Sequence, residues 1–396
     1  MKTTSKQFMR KAITQLGVGS LTFALASSSA FAQPSAAAKD AYPEVSALFN
    51  AFDVTQAQMF EEIAKINENP YVEEARNSLE EHLSTMANMS MQDMMAEGLM
   101  NHSGETHMGM DMTSPYGDLE LEARINLRNT MQGDHSDEEA VNSFNNSTAL
   151  NRHTAEIFKL GRAFENKLFS IYADNSISDK RAAVETAVAE YKADPRHSLA
   201  STPKDVEMVI THPHANAFKT AFPRLSGFHW TQQWLQLASL EALIRAEIDD
   251  QFSGGMEIAL ERFKNKIGSA GGMSMYPAPT ELPMAAAIAP NLYSQSPEAA
   301  IILDNLNVLE TIVADVLAYP NLENRAEAIS AAIASLADKE MGNVMPEDYL
   351  LFALRGGIYN QGGPAVGELS QSERNRSRAA MDMQHTMVMG GGGGTN

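Results

Sequence analysis

Apolar residues return at three- and four-residue steps along almost the whole chain, and no stretch alternates as a half-buried strand would. That period restricts the fold to packed α-helices. The clearest stretch is 137–172, opened by a capping box of Ser136 and Glu139. It carries Ile157, Leu160, Phe164, Leu168 and Ile171 on one face. A second helix runs from Pro297 to just before Pro320, with the stripe Ile302, Leu306, Leu309, Val313 and Val316. A third starts near Asn321, buries Ile329, Ile333 and Leu336, and stops at Gly342; a fourth runs from about Pro346 to Gly356-Gly357. Residues 44–67, 70–100, 178–193, 230–252 and 254–267 are the remaining expected helices. The expected fold is all-α: an antiparallel helical bundle of one large or two packed helical units, since short connections favour antiparallel neighbours.

Two segments interrupt the helical pattern. Residues 101–117 are rich in Gly, Ser, His and Met and read as a loop. Residues 268–284 hold Gly268, Gly271, Gly272, Pro277, Pro279 and Pro283 and read as a linker or long loop. The expected organisation is an N-terminal helical unit at 33–267, that linker, a C-terminal helical unit at 285–380, and a Met/His/Gly-rich tail at 381–396. The glycine run from Gly390 to Gly394 leaves the end of the tail without the means to form a packed core.

The first 32 residues have the three parts of a secretion signal. Lys2, Lys6, Arg10 and Lys11 form a basic start without an acid, and an apolar run passes through Leu16, Val18, Leu21, Phe23 and Leu25. Ala30-Phe31-Ala32 is an A-x-A cleavage site, so the mature chain is expected to begin at Gln33 and to act in the periplasm or outside the cell. The apolar run is well short of the ~20 residues that cross a bilayer, so no membrane span is expected in the mature chain. Cleavage removes four basic groups and no acid, which moves the net charge from −20 to −24. Such acidity argues against nucleic acid as a partner, because phosphate contacts need concentrated Lys and Arg. The chain has no cysteine, which excludes disulfides, thiol catalysis and thiolate metal sites. A soft-metal ligand must therefore be Met or His.

Methionine is concentrated in one place. Nine of the 24 methionines fall between Met86 and Met112, where uniform spreading would put fewer than two. They are Met86, Met89, Met91, Met94, Met95, Met100, Met108, Met110 and Met112, with His102 and His107 among the last of them. Met-x-Met spacing recurs at Met273/Met275, Met381/Met383 and Met387/Met389, with His385 between the last two pairs. The thioether is a soft, uncharged donor that suits Cu(I), and by the same softness Ag(I). It needs no deprotonation, whereas imidazole ligates only when neutral. Methionines two apart point to opposite sides of a helix, so His107-Met108-Gly109-Met110-Asp111-Met112 must be extended to wrap one ion. Met86, Met89 and Met94 are spaced as a helix face and read equally well as packing residues. The run from Met100-Asn101-His102-Ser103-Gly104 through Met112 resembles the Met/His-rich repeats of periplasmic copper-resistance proteins. The resemblance covers about residues 86–112 with an echo at 381–389, and it implies capture of copper or silver.

His212, His214 and His229 lie within 18 residues and form a second candidate metal group for Zn²⁺ or Cu²⁺, to be completed by His197 or a carboxylate. Their spacing fits no established zinc pattern, and histidines bonded to backbone are the plainer account. Gly227-Phe228-His229 is similar to the start of the G-x-H-x-x-E motif of imelysin-like periplasmic helical proteins. Gln232 stands at the acid position, so that motif's carboxylate ligand is missing and the assignment is not adopted. Trp230 and Trp234 share a face and read as core anchors; His153, along an apolar stripe, reads as a buried histidine, and His135 as part of a solvated helix start. No H-E-x-x-H, G-x-S-x-G, P-loop or C-x-x-C-H is present, so nothing points to a reaction.

The leading expectation is an exported protein that binds Cu(I), or Ag(I), for buffering or delivery, with copper as its cofactor or cargo and a periplasmic protein as a further partner. Its expected ligands are Met100, His102, His107, Met108, Met110 and Met112, with His385 in an accessory site. The alternatives are a metal-dependent enzyme or iron-handling protein centred on His212, His214 and His229, and a Met-rich interaction scaffold.

Overall fold

Sixteen α-helices and two short 3₁₀ turns account for the regular structure of the described residues, and no strand is present among them. The computed structural model describes residues 33–88, 114–205, 211–268, 278–355 and 357–366. The first seven helices are α1 (Ala36–Ala41), α2 (Pro43–Asn67), α3 (Glu73–Asn88), α4 (Asp118–Met131), α5 (Asp137–Asn146), α6 (Arg152–Ala173) and α7 (Lys180–Lys192). Then come α8 (Ala217–Ala221), α9 (Pro223–Ile248), α10 (Gly255–Gly268), α11 (Ala285–Ile288) and α12 (Pro290–Gln295). The last are α13 (Pro297–Ala318), α14 (Arg325–Ala337), α15 (Pro346–Leu354) and α16 (Gly357–Asn360).

Local chemistry sets where these helices start. Ser35, Ser136, Asn151 and Asp179 each accept a backbone N–H of the first turn, which satisfies donors a new helix leaves open. Proline opens α2, α9, α12, α13 and α15, where its missing N–H removes nothing the helix needs.

Four long helices form the centre. α2 packs on α9 and α13, and α6 packs on the same two, closing a ring of four. α4 and α5 cover α2, α7 covers α6, α10 covers α9, and α8, α12 and α14 cover α13. The depth of the middle pair is visible in their burial. Every residue from Leu225 to Ile244 of α9 and from Ala299 to Ala318 of α13 is buried. A helix enclosed on all sides has no solvent face, so its apolar stripe marks only one of several packed faces.

Several sequence expectations need correction. The expected helix 137–172 is two helices, because Asn145 to Thr148 offer side chains that compete with the backbone and Asn151 caps a fresh start. α9 begins at Pro223 rather than near residue 230, and the Asn321–Gly342 helix is confined to Arg325–Ala337. α4 was not expected at all; it buries Glu120 and Arg124 beside Ala123, Leu127 and Met131, and those charges mask its stripe. Helices from the two sides of segment 268–284 pack on one another. α13, from beyond the expected linker, sits against α2 and α6 from before it.

Candidate functional site

The centre of the four-helix ring is polar. α6 contributes Arg162 and Glu165, α13 contributes Glu310, α9 contributes His229, Gln233 and Gln236, and α2 contributes Asp53, all of them buried. Arg162 is the hub. One terminal nitrogen donates to Glu165 Oε2 at 2.6 Å, and the other reaches both oxygens of Glu310 at 2.5 and 2.6 Å. Gln236 donates to the same Glu165 oxygen at 2.6 Å. Gln233 Nε2 lies 2.9 Å from Glu310 Oε2 and 3.0 Å from His229 Nε2.

These contacts fix charges. The Gln233 amide donates to both neighbours, so His229 Nε2 must present a lone pair and the imidazole is neutral. Burial drives His229 to the same state, and with the nearby Arg162 guanidinium it pulls the ring down to about 3. Burial outweighs the pull of Arg162 on Asp53 and leaves its carboxyl raised to about 8. Glu165 is also raised by burial against the pull of Arg162. Burial works against the Arg162 charge, but Glu310 and Glu165 outweigh it and hold the guanidinium above its ordinary range. With every acid ionised, the layer would set one guanidinium against three carboxylates.

The histidines of the second candidate group stand in two places. His212 and His214 are together at one end of the bundle, with ring centroids 6.2 Å apart. His212 Nε2 meets Asp315 Oδ2 at 3.0 Å, while the other Asp315 oxygen accepts the Phe218 N–H at 2.8 Å. His214 is half-buried, rests edge-on against Tyr319, and is held toward its neutral form by burial and by His212. His229 belongs instead to the central layer, and His197 bonds Asp194 and packs on His153. Among the described residues no group of three or more His, Asp or Glu side chains could hold a metal ion.

The same bundle end receives the chain as it returns from the Met/His-rich stretch. Ser114 donates to Ala221 O at 2.7 Å, and Tyr116 donates to Asn67 Oδ1 at 2.9 Å while its ring packs on Phe222. Asn67 in turn donates to Leu317 O and Tyr319 O, and Tyr319 carries the His214 contact. Hydrogen bonds from Ser114 and Tyr116 through Asn67, and a ring contact at Tyr319, therefore join this anchor to the His212/His214 pair.

Met100, His102, His107, Met108, Met110 and Met112, together with His385, lie outside the described residues; Met86 falls in α3, without a described side chain. Trp230 and Trp234 are core residues as expected. His153 is exposed in the first turn of α6, where a stripe position has not yet entered the core. His135 is more enclosed than a solvated start: its side chain is 9% exposed, Nε2 bonds Thr130 O, and Nδ1 lies 3.1 Å from Glu139 Oε1. Gln232 donates to Thr55 on α2, so the acid near His229 is Glu310, 3.5 Å away and from a different helix. Pattern reading missed the central layer because its members come from four helices. The available signal was the polar residues inside otherwise apolar runs, Thr231 to Gln236 on α9 and Asn307 to Glu310 on α13. No protein-family model, curated protein or solved structure matches the chain.

Proposed function

We propose that this chain is an exported copper-binding protein, a rigid helical bundle carrying a Met/His-rich segment that captures Cu(I), or Ag(I), for buffering or delivery. The observation that carries the reading is the concentration of nine methionines and two histidines within residues 86–112 of a cysteine-free chain. Thioether sulfur is the one soft donor this sequence offers, and soft donors select Cu(I) over hard cations. The described anchor supports the reading. Ser114 and Tyr116 fasten the C-terminal side of the segment to a bundle end that also bears His214, neutral and half-buried. An imidazole in that state is a competent ligand for either copper oxidation state. Among the described residues no helix is long and apolar enough to cross a membrane.

Equilibrium dialysis of the chain from Gln33 with Cu(I) tests the proposal, beside the same chain lacking residues 100–112. Both anchors lie outside that deletion, so helix content by circular dichroism should be unchanged. Tight Cu(I) binding that falls sharply on deletion is the expected result. Equal binding by the two chains would overturn the reading.

A further inference from the structure

The central layer is short of positive charge, and the shortage falls on Asp53. Arg162 spends its terminal nitrogens on Glu165 and Glu310, and His229 is neutral by its hydrogen bonding. The Asp53 carboxyl is bonded by the Gln33 amide, whose Nε2 lies 3.3 Å from Oδ2. The amide oxygen of Gln33 is buried there with no hydrogen-bond partner, an acceptor beside a carboxyl group. Three residues along α2, Gln56 is 1% exposed, and neither of its amide atoms is bonded. A carboxylate could use only the N–H side of the Gln33 amide. A carboxylic acid could use both sides, donating O–H to Gln33 Oε1 while accepting from Nε2.

We infer that Asp53 is a buried proton-binding site: the folded chain takes up a proton there and holds it as a carboxylic acid paired with the Gln33 amide. α6 offers Arg162, engaged elsewhere, and the acid Glu165; α13 offers the acid Glu310; α9 offers neutral His229. Toward α1 and α5, Lys39 is committed to Asp137, and Ser143 donates to the Asp53 carbonyl rather than to its carboxyl. On α4, Arg124 donates to Ile267 O and Glu120 is tied to Arg224. An ionised Asp53 would face the acids Glu165 and Glu310, and the one cation acting on it, Arg162, has its terminal nitrogens committed to those two acids; burial outweighs the pull of Arg162 and leaves the carboxyl at about 8.

The consequence is a proton-dependent bundle. The unfolded chain releases this proton near the ordinary carboxylate range, whereas the folded chain keeps it to about pH 8. The folded state thus binds more protons over that interval, so this contribution to stability falls as pH rises and levels off above it.

Urea unfolding of the full chain and its Asp53→Asn variant, from about pH 5 to about pH 9, tests the inference. The ratio of the wild-type to the variant folding constant should fall about tenfold per pH unit, the slope of one proton, and flatten above about pH 8. A ratio independent of pH would overturn it. If Asp53→Asn does not fold, infrared spectroscopy of the unsubstituted protein decides. A protonated-carboxyl C=O band at neutral pH, moved in frequency by Gln33→Ala, supports the site, and the absence of such a band overturns it.

Discussion

Arg162 ties α6 to α13 through one guanidinium nitrogen and both Glu310 oxygens, while its other terminal nitrogen bonds Glu165 on its own helix. A buried ion pair contributes little net stability over a well-packed apolar substitute, yet removing one partner strands the other without water. Arg162→Met would leave Asp53, Glu165 and Glu310 as three buried acids without a cation. The expected loss is ~3–5 kcal/mol near neutral pH, shrinking in acid as the orphaned carboxyls take up protons. Denaturant unfolding at two pH values checks both the size and the direction. His229 makes the opposite pH claim. Its folded value lies near 3, so below about 6.5 the unfolded chain binds a proton that the folded chain refuses. Stability should therefore decline as pH falls from about 6.5 toward 3, and His229→Gln should flatten that decline in acid unfolding curves.

Between elements, the close approach of α6 and α13 depends on Gly161. A methyl group there would meet both terminal carbons of Leu306 at 2.6 Å, and both residues are in the core. Gly161→Ala should lose ~1–3 kcal/mol by overpacking, although alanine is the better helix former, and Leu306→Ala in the same chain should restore part of the loss. A double-mutant cycle by urea unfolding checks the pair. Much at this scale was legible in the sequence. The 3.6-residue period identified most of the long helices, and Ser136 and Pro297 marked true starts, because capping and propensity act within a few residues. The four-helix layer was not legible. Asp53 and Glu310 are 257 positions apart, and periodicity ranks polar residues in a buried helix as noise. The charged inner face of α4 hid that helix for the same reason.

At the scale of the whole molecule, the sequence argues for a metal-capture protein and the structure supplies a support for it. The bundle centre is locked by bonds spanning α2, α6, α9 and α13, and one end fastens Ser114 and Tyr116 next to the His212/His214 pair. The expected ligand residues at 100–112 and His385 lie outside the described residues, so their chemistry rests on composition. N-terminal sequencing of exported protein should begin at Gln33; a chain still beginning at Met1 would contradict the reading of residues 1–32 as a secretion signal. That site of cleavage would also put the amide partner of Asp53 at the very start of the mature chain. Copper capture remains the central claim, and Cu(I) affinity with and without residues 100–112 tests it most directly. The account predicts tight binding that collapses when those residues are removed, while helix content and unfolding midpoint stay the same. Undiminished binding by the deleted chain would contradict it.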